Sequence, residues 1–243
     1  MHAIDTFILR VKRADTPTYA RLKRLARAST RFRLRLPLPW IWLIEAIHQS
    51  RLIVSFIWLR LCVTFYREPL FRRKCVSVGR GLYLELLPSL IGHTRITIGD
   101  DVVISGSLAI ASPSVSEAPE LVVGNHVFIG HQTSMNVGRS ILIEDHALIA
   151  NNCLITDNHQ HPLNMERRIR GEPCGSSEMK PVIIRRGAWL GRGCTVLRGV
   201  EIGEGAIVGA GSVVSASVPP FAIVSGNPAK IVLQLLDRSA RDH

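Results

Sequence analysis

The sequence predicts an all-β protein, a parallel β-helix of six-residue sides preceded by a basic helical extension. Three observations predict it. An aliphatic residue returns every six positions at Ile184, Leu190, Val196, Ile202, Val208 and Val214. The same spacing links Ile98, Ile104 and Ile110, then Val123, Ile129 and Met135, then Ile143, Ile149 and Ile155. Glycine often follows that aliphatic (Gly99, Gly124, Gly130, Gly191, Gly203, Gly209), and a small or β-branched residue often stands four positions after it (Val102, Val127, Ala147, Ala188, Ala206, Ser212).

A period of six fits neither a helix nor a plain strand. It fits a coil of short strands, each ending at a corner, with three sides to a turn. Each aliphatic points inward, glycine supplies tight corners without a Cβ penalty, and no coil buries its inward side chains without neighbours. Val78 and Leu84 start the pattern more loosely. Two segments interrupt it. Residues 111–119 have loop composition, and residues 156–181 form a longer excursion rich in Asp, Asn, His, Arg, Gly and Pro. Long loops on a rigid scaffold are where chemistry tends to sit. The repeat stops at Pro219-Pro220, and the tail Pro228–Arg241 reads as a short amphipathic helix over the open end. The expected organisation is therefore an extension at 1–75, a β-helix at 76–218 and a capping tail at 219–243.

The formal charge of +11 is not evenly spread. Residues 1–75 hold 16 Lys and Arg against 4 Asp and Glu, whereas residues 76–243 are nearly neutral. Basic residues alternate with large apolar ones in Arg31-Phe32-Arg33-Leu34-Arg35-Leu36, and Trp40, Trp42 and Trp58 lie in the same third. That composition suits a helix at an anionic bilayer surface rather than nucleic acid; a helical subdomain packed on a neighbouring chain is the plainer alternative. A spanning helix is not expected, because Glu45, His48, Gln49, Arg51 and Arg60 interrupt the apolar stretch;. No signal peptide is visible. Five scattered cysteines without a C-x-x-C pair suit reduced thiols in the cytoplasm;.

The stretches Gly187-Ala188-Trp189-Leu190-Gly191, Gly199-Val200-Glu201-Ile202-Gly203 and Val208-Gly209-Ala210-Gly211-Ser212 resemble the hexapeptide-repeat O-acetyltransferases. The ending Ser225-Gly226-Asn227-Pro228-Ala229-Lys230 does too. With Asp157-Asn158-His159-Gln160-His161-Pro162-Leu163, the likeness is to the maltose/galactoside acetyltransferase group and to acetyltransferases of capsule, exopolysaccharide and lipopolysaccharide synthesis. It covers roughly residues 90–233 and leaves 1–75 unexplained. The resemblance implies a left-handed β-helix, where general crossover chirality would give the reverse. It also implies a homotrimer, acetyl-CoA as co-substrate, a sugar acceptor and no metal.

A histidine general base is implied, and a base near pKa 6.5 suits a sugar hydroxyl, a poor nucleophile at neutral pH. Matching on His-Pro-Leu makes that base His161 without a gap; a one-residue gap makes it His159. Asp157 is expected to orient the imidazole. Gln132, with Asn136 nearby, matches the substrate-contacting amide, and Arg192, Ala210, Ser215, Ala216 and Lys230 match the CoA positions, with Trp189 near the base. Two positions that are basic in the sugar acetyltransferases are Ala216 and Leu233 here, which shifts phosphate anchoring toward Arg192, Arg186 or Arg198. Two rivals share the fold. A zinc enzyme of the γ-carbonic anhydrase kind needs three histidines; His126 and His131 have one suitable spacing but stand out of phase, and Asn136 occupies a third position. A catalytically silent scaffold for a glycan-synthesis complex is the other.

Overall fold

The computed structural model describes residues 2–14, 16–31, 37–113 and 115–235. Most of the Arg31–Leu36 run, and residues 236–241 of the expected terminal helix, lie outside them. The chain divides into two compact units, Met1–Ser55 and Phe56–His243.

In the first unit, α1 (His2–Arg13) and α2 (Pro17–Arg31) meet through an edge-to-face pair of Phe7 and Tyr19, centroids 6.0 Å apart. The long helix α3 (Leu38–Cys62) has no buried residue and runs on through a π-helical turn, Val63–Arg67, into α4 (Glu68–Arg72). It passes straight through Glu45, His48, Gln49, Arg51 and Arg60, because a helix satisfies its backbone internally whatever its side chains. The Gln49 amide donates to the Glu45 carboxylate at 3.0 Å. Those residues interrupt the apolar stretch, as expected from the sequence, while the helix itself is continuous through them. Among the described residues, Leu38–Arg72 is the one helix long and apolar enough to cross a membrane by length and composition.

The second unit is a column of six coils. Their strands are Ser77–Val78, Tyr83–Leu84 and Ser89–Ile91; Arg95–Ile98, Val103–Ile104 and Leu108–Ala111; Glu120–Val123, Phe128–Ile129 and Thr133–Asn136; Ser140–Ile143, Leu148–Ile149 and Leu154–Thr156; Val182–Ile184, Trp189–Leu190 and Thr195–Val196; and Glu201–Ile202, Ile207–Val208 and Val213–Val214. The first, second and third strand of every coil pair in parallel with their counterparts above and below, giving faces one, two and three. Register is strict: Ile98, Val123, Ile143, Ile184 and Ile202 follow one another up face one. These inward aliphatics are buried and form one core. Burying each contributes about 1.5–3 kcal/mol relative to exposure.

The corners are pinned by carboxylates and amides accepting backbone N–H groups from the coil before. Between faces one and two, Arg80 N donates to Asp100 Oδ1 (2.6 Å), Asp100 N to Asn125 Oδ1 (2.8 Å) and Asn125 N to Asp145 Oδ1 (2.7 Å). The Asn125 N–H holds the Asp145 carboxyl below its usual pKa. Between faces two and three, the buried Cys153 and Cys194 thiols donate to Gly191 O (3.3 Å) and Gly209 O (3.1 Å).

Both ends are closed. Phe71 of α4 is fully buried in the core below the first coil, and Arg72 donates to Val78 O and Gly79 O, each at 2.7 Å. Residues 56–75 thus belong to the second unit, and the division falls within α3 rather than at residue 75. At the far end, Ala222–Gly226 continues face two and Ala229–Gln234 folds back antiparallel upon it. The expected helix at 228–241 is, over its described part, this strand. Its Ile231-Val232-Leu233 run favours an extended backbone, and Gly226, at φ 106°, makes the reversal.

Candidate functional site

The flap at 156–181 leaves the column at the corner between faces three and one, after the fourth coil. Its root is buried. Asp157 accepts Gly138 N and Arg139 N, both at 2.6 Å, and Asn158 Nδ2 at 2.9 Å. This is the corner device seen elsewhere, and it occupies both carboxylate oxygens. Asp157, expected to orient an imidazole, ties the flap to the third coil through these bonds. Thr156 Oγ1 donates to Asn158 O (2.8 Å), and Asn158 Oδ1 accepts Gln160 N (2.8 Å). Gln160 takes φ 63°. That tight turn sends the two candidate histidines in different ways.

His159 lines a cavity of about 300 Å³ with Asn158, Lys180, Leu197, Arg198 and Ser215. Arg198 Nε donates to His159 Nε2 at 2.5 Å, which makes Nε2 an acceptor. His161 is exposed and outside this cavity; its backbone N donates to His159 O (2.7 Å), and its ring has no hydrogen-bond partner among the described residues. Beyond it the flap is laced by polar contacts. Asn164 Oδ1 caps α5 (Met165–Ile169) by accepting Arg167 N, and Glu178 accepts Leu163 N (3.0 Å) and Gly175 N (2.8 Å). Those two amides lower the pKa of the Glu178 carboxyl. Arg167 and Arg170 both reach Glu172, which is likewise lowered.

The expected CoA positions fall on two corners and a hairpin. Ser215 and Ala216 follow the last strand of face three at the flap's own corner, and Ser215 lines the His159 cavity. Arg192 and Ala210 lie at the corner between faces two and three, where Gly211 N donates to Arg192 O (2.8 Å). Lys230 pairs with Ser225 on the closing hairpin. Trp189 stands 47% exposed on face two, in register between Leu148 and Ile207. The row continues through Phe128 and Ile223, an apolar stripe up one side of the column. Gln132 sits exposed at the corner between faces two and three with φ 58°, and Asn136 ends the third strand of its coil. Within one chain, then, the cavity unites His159 with Ser215 and leaves Gln132, Trp189, Arg192 and Lys230 outside. Arg186 is also apart, facing Glu204 at 3.9 Å.

Lys180 was not singled out from the sequence. It stands one coil before Arg198, as the bond from Gly199 N to Lys180 O shows. Counting one turn back from Arg198 across the restart of the repeat finds it. His126 and His131 lie at different corners. The His126 ring stacks on His146 with centroids 4.9 Å apart, while His131 Nδ1 accepts Ser107 N. No three His, Cys, Asp or Glu gather as metal ligands among the described residues.

Comparison with known proteins agrees with this architecture. A family model described as bacterial transferase hexapeptide (six repeats) matches residues 181–216, and one described as hexapeptide repeat of succinyl-transferase matches 120–157. Among solved structures, a variant of AntD, an N-acyltransferase from Bacillus cereus in complex with dTDP and coenzyme A, is 20% identical with a TM-score of 0.54, over 73% of this chain and 94% of that one. Another AntD variant, in complex with dTDP-4-amino-4,6-dideoxyglucose and coenzyme A, is 19% identical at TM-score 0.56, over 73% and 93%. The hexapeptide-repeat containing acetyltransferase VCA0836 from Vibrio cholerae is 24% identical at TM-score 0.50, over 79% and 94%. No curated protein matches the sequence. At these identities the likeness is one of fold, and the column is a left-handed parallel β-helix.

Proposed function

We propose that this chain, a hexapeptide-repeat protein of the left-handed β-helix fold, is a CoA-dependent O-acetyltransferase that acetylates a sugar hydroxyl in surface-glycan synthesis. The observation that carries the reading is the cavity joining His159 to Lys180, Arg198 and Ser215 at the flap's root. It pairs a candidate base with two cations in a place that a packed column does not need. AntD, of the same fold, holds coenzyme A and a dTDP-sugar.

In this reading His159, rather than His161, is the base. Its Nε2 lone pair accepts from Arg198 in the free protein. The incoming hydroxyl displaces that contact and gives its proton to Nε2 as its oxygen attacks the thioester carbonyl carbon. A tetrahedral oxyanion forms, with the released Arg198 and Lys180 as the nearby cations to offset it. The C–S bond then breaks, the imidazolium returns its proton to the departing thiolate, and the products are the O-acetyl ester and CoA thiol. The exposed corner backbone near Ala210 and Ser215 serves the pantetheine amides, and Lys230 and Arg192 serve the phosphates. The apolar stripe of Phe128, Leu148 and Trp189 is the natural surface for neighbouring copies in a homotrimer, which brings the outlying positions to a shared cleft.

Thiol release from acetyl-CoA with a panel of sugar acceptors tests the activity, using wild type, His159→Ala and His161→Ala. Loss in His159→Ala alone supports the assignment; loss in His161→Ala alone reverses it. Turnover unchanged in both removes the histidine mechanism, and no thiol release with any acceptor favours the scaffold reading.

The extension is the second part of the proposal: it attaches the enzyme to an anionic inner-leaflet surface on the cytoplasmic side. Its support is the excess of 16 basic over 4 acidic residues beside an α3 that has no buried residue. Flotation with phosphatidylserine vesicles, followed by alkaline carbonate washing, checks it. Salt-sensitive binding released by carbonate fits attachment; resistance to carbonate means that α3 spans, and equal binding to neutral vesicles removes the electrostatic argument.

A further inference from the structure

The two interruptions of the repeat leave the column at the same corner. The segment at 111–119 departs after the second coil and the flap after the fourth, both between faces three and one. The third coil makes that corner with the short turn Val137–Gly138–Arg139, and the two excursions stand up on either side of it. Between them lies a cleft of about 630 Å³, lined by Ser116, Glu117, Arg139, Ser176, Ser177 and Met179 among others.

The walls and floor of this cleft are built rather than incidental. Ser116 Oγ contacts Met179 Sδ at 3.8 Å, bridging one wall to the other, and His93 Nε2 lies 2.6 Å from Ser116 O. A Cβ at Gly138 would come within 2.9 Å of Met179 Sδ and 3.0 Å of Asn158 Nδ2, so these two flap side chains lie directly against the floor. Asp157 fixes the floor through Gly138 N and Arg139 N. The Arg139 backbone is thus held, while its exposed guanidinium has no ion pair or hydrogen bond among the described residues. The flap's own arginines differ: Arg167 and Arg170 are taken by Glu172, and Arg168 by Pro162 O and Leu163 O.

We infer that this cleft is the acceptor subsite, and that it takes a saccharide bearing an anionic group, carboxylate or phosphate, against Arg139. An unpaired guanidinium at a cleft that also presents serine hydroxyls offers a planar two-pronged donor to such an anion;. The serine hydroxyls, which donate and accept, and the Glu117 carboxylate on the opposite wall face the neutral hydroxyls of the sugar. The cleft communicates with the chemistry through one stem. Met179 lines the cleft and the next residue, Lys180, lines the His159 cavity. The inference rests on the acyltransferase reading for what happens to the bound sugar, and not for the binding itself.

The test is direct binding to the full chain, by titration calorimetry, using three probes. These are 3′-sialyllactose for a carboxylate, UDP-N-acetylglucosamine for a phosphate, and maltotriose as a neutral sugar of similar size. At least one anionic probe binds more tightly than maltotriose, and which one does identifies the source of the anion. Arg139→Gln weakens that probe about 10- to 100-fold, the loss of a charge-assisted bond, and Arg139→Lys recovers part of it. Ser177→Trp, which fills the cleft without touching the charge, abolishes binding of the same probe. Equal binding of all three probes, binding of none, or an Arg139→Gln affinity equal to wild type overturns the inference. Acetyl-CoA is titrated separately: failure there strikes the acyltransferase reading and leaves the saccharide result to be judged on its own.

Discussion

The column and the flap solve the same problem, holding extended backbone in place, by opposite means. In the column, inward aliphatics recur at every coil, the strands pair in register, and the core is apolar. In the flap, few residues are buried, and those at its root include the polar Thr156, Asp157 and Asn158. Its backbone is held by carboxylates and amides rather than by packing. A stacked apolar column gains from each neighbour and tolerates no local loss. A polar clasp is local, responds to protonation, and can place a reactive ring at the edge of solvent. The site sits where the two regimes meet. If that division is right, changes in the flap alter chemistry without melting the column, and changes in the column do the reverse.

The largest effect is expected at His159. Removing a general base lowers turnover about 10²- to 10⁴-fold, so His159→Ala loses that much in thiol release while its melting temperature stays near wild type. A variant that melts early instead would mean that His159 is part of the packing, and the comparison would fail at its first point.

In the column, Ile149→Ala removes a fully buried side chain from the fourth coil. The expected loss is about 2–5 kcal/mol, read as a lower urea midpoint, and it extends to neighbouring coils because each buries the next. Asp157→Ala is the matching change in the flap. It strips an acceptor from two backbone N–H groups at once, an expected cost of about 1–3 kcal/mol for each donor left buried. Hydrogen exchange should rise at residues 138–139 and across the flap while the inward strands stay protected. Uniform loss of protection would show that flap and column unfold together.

The same contrast explains what the sequence disclosed. Ile184 to Val214 announce the column because a side chain that must point inward on every side leaves a period. Both interruptions were visible as breaks in it. The flap has no period, so its internal contacts were hidden: Asp157 looks in sequence like a partner for histidine, yet corner geometry assigns it to the amides of residues 138 and 139. Between His159 and His161, the tripeptide His-Pro-Leu pointed to the second, whereas the left-handed Gln160 turns the first into the cavity. The tail misled for a different reason. Pro228 to Leu233 has a composition open to helix or strand, and what decides is the exposed edge of face two, a feature of the assembled column and of no local stretch. In α3, the polar residues interrupt hydropathy without interrupting the helix, since the backbone bonds do not depend on them.

The smallest effect expected is also the most specific to the flap. Glu178 holds the loop through Leu163 N and Gly175 N, and these bonds favour its ionised form, setting its pKa below the usual glutamate value of about 4.3;. The sign follows from linkage: a carboxyl whose pKa is depressed on folding stabilises fully above its unfolded value, and the contribution disappears as pH falls through the folded one. Lowering the pH from 6 to below 4 should therefore raise exchange at the Leu163 and Gly175 amides before the column responds. In Glu178→Gln that pH dependence is absent and protection is lower at neutral pH. Should both amides respond to pH equally in wild type and Glu178→Gln, another group holds the loop, and the picture of a flap clasped by carboxylates gives way at this position.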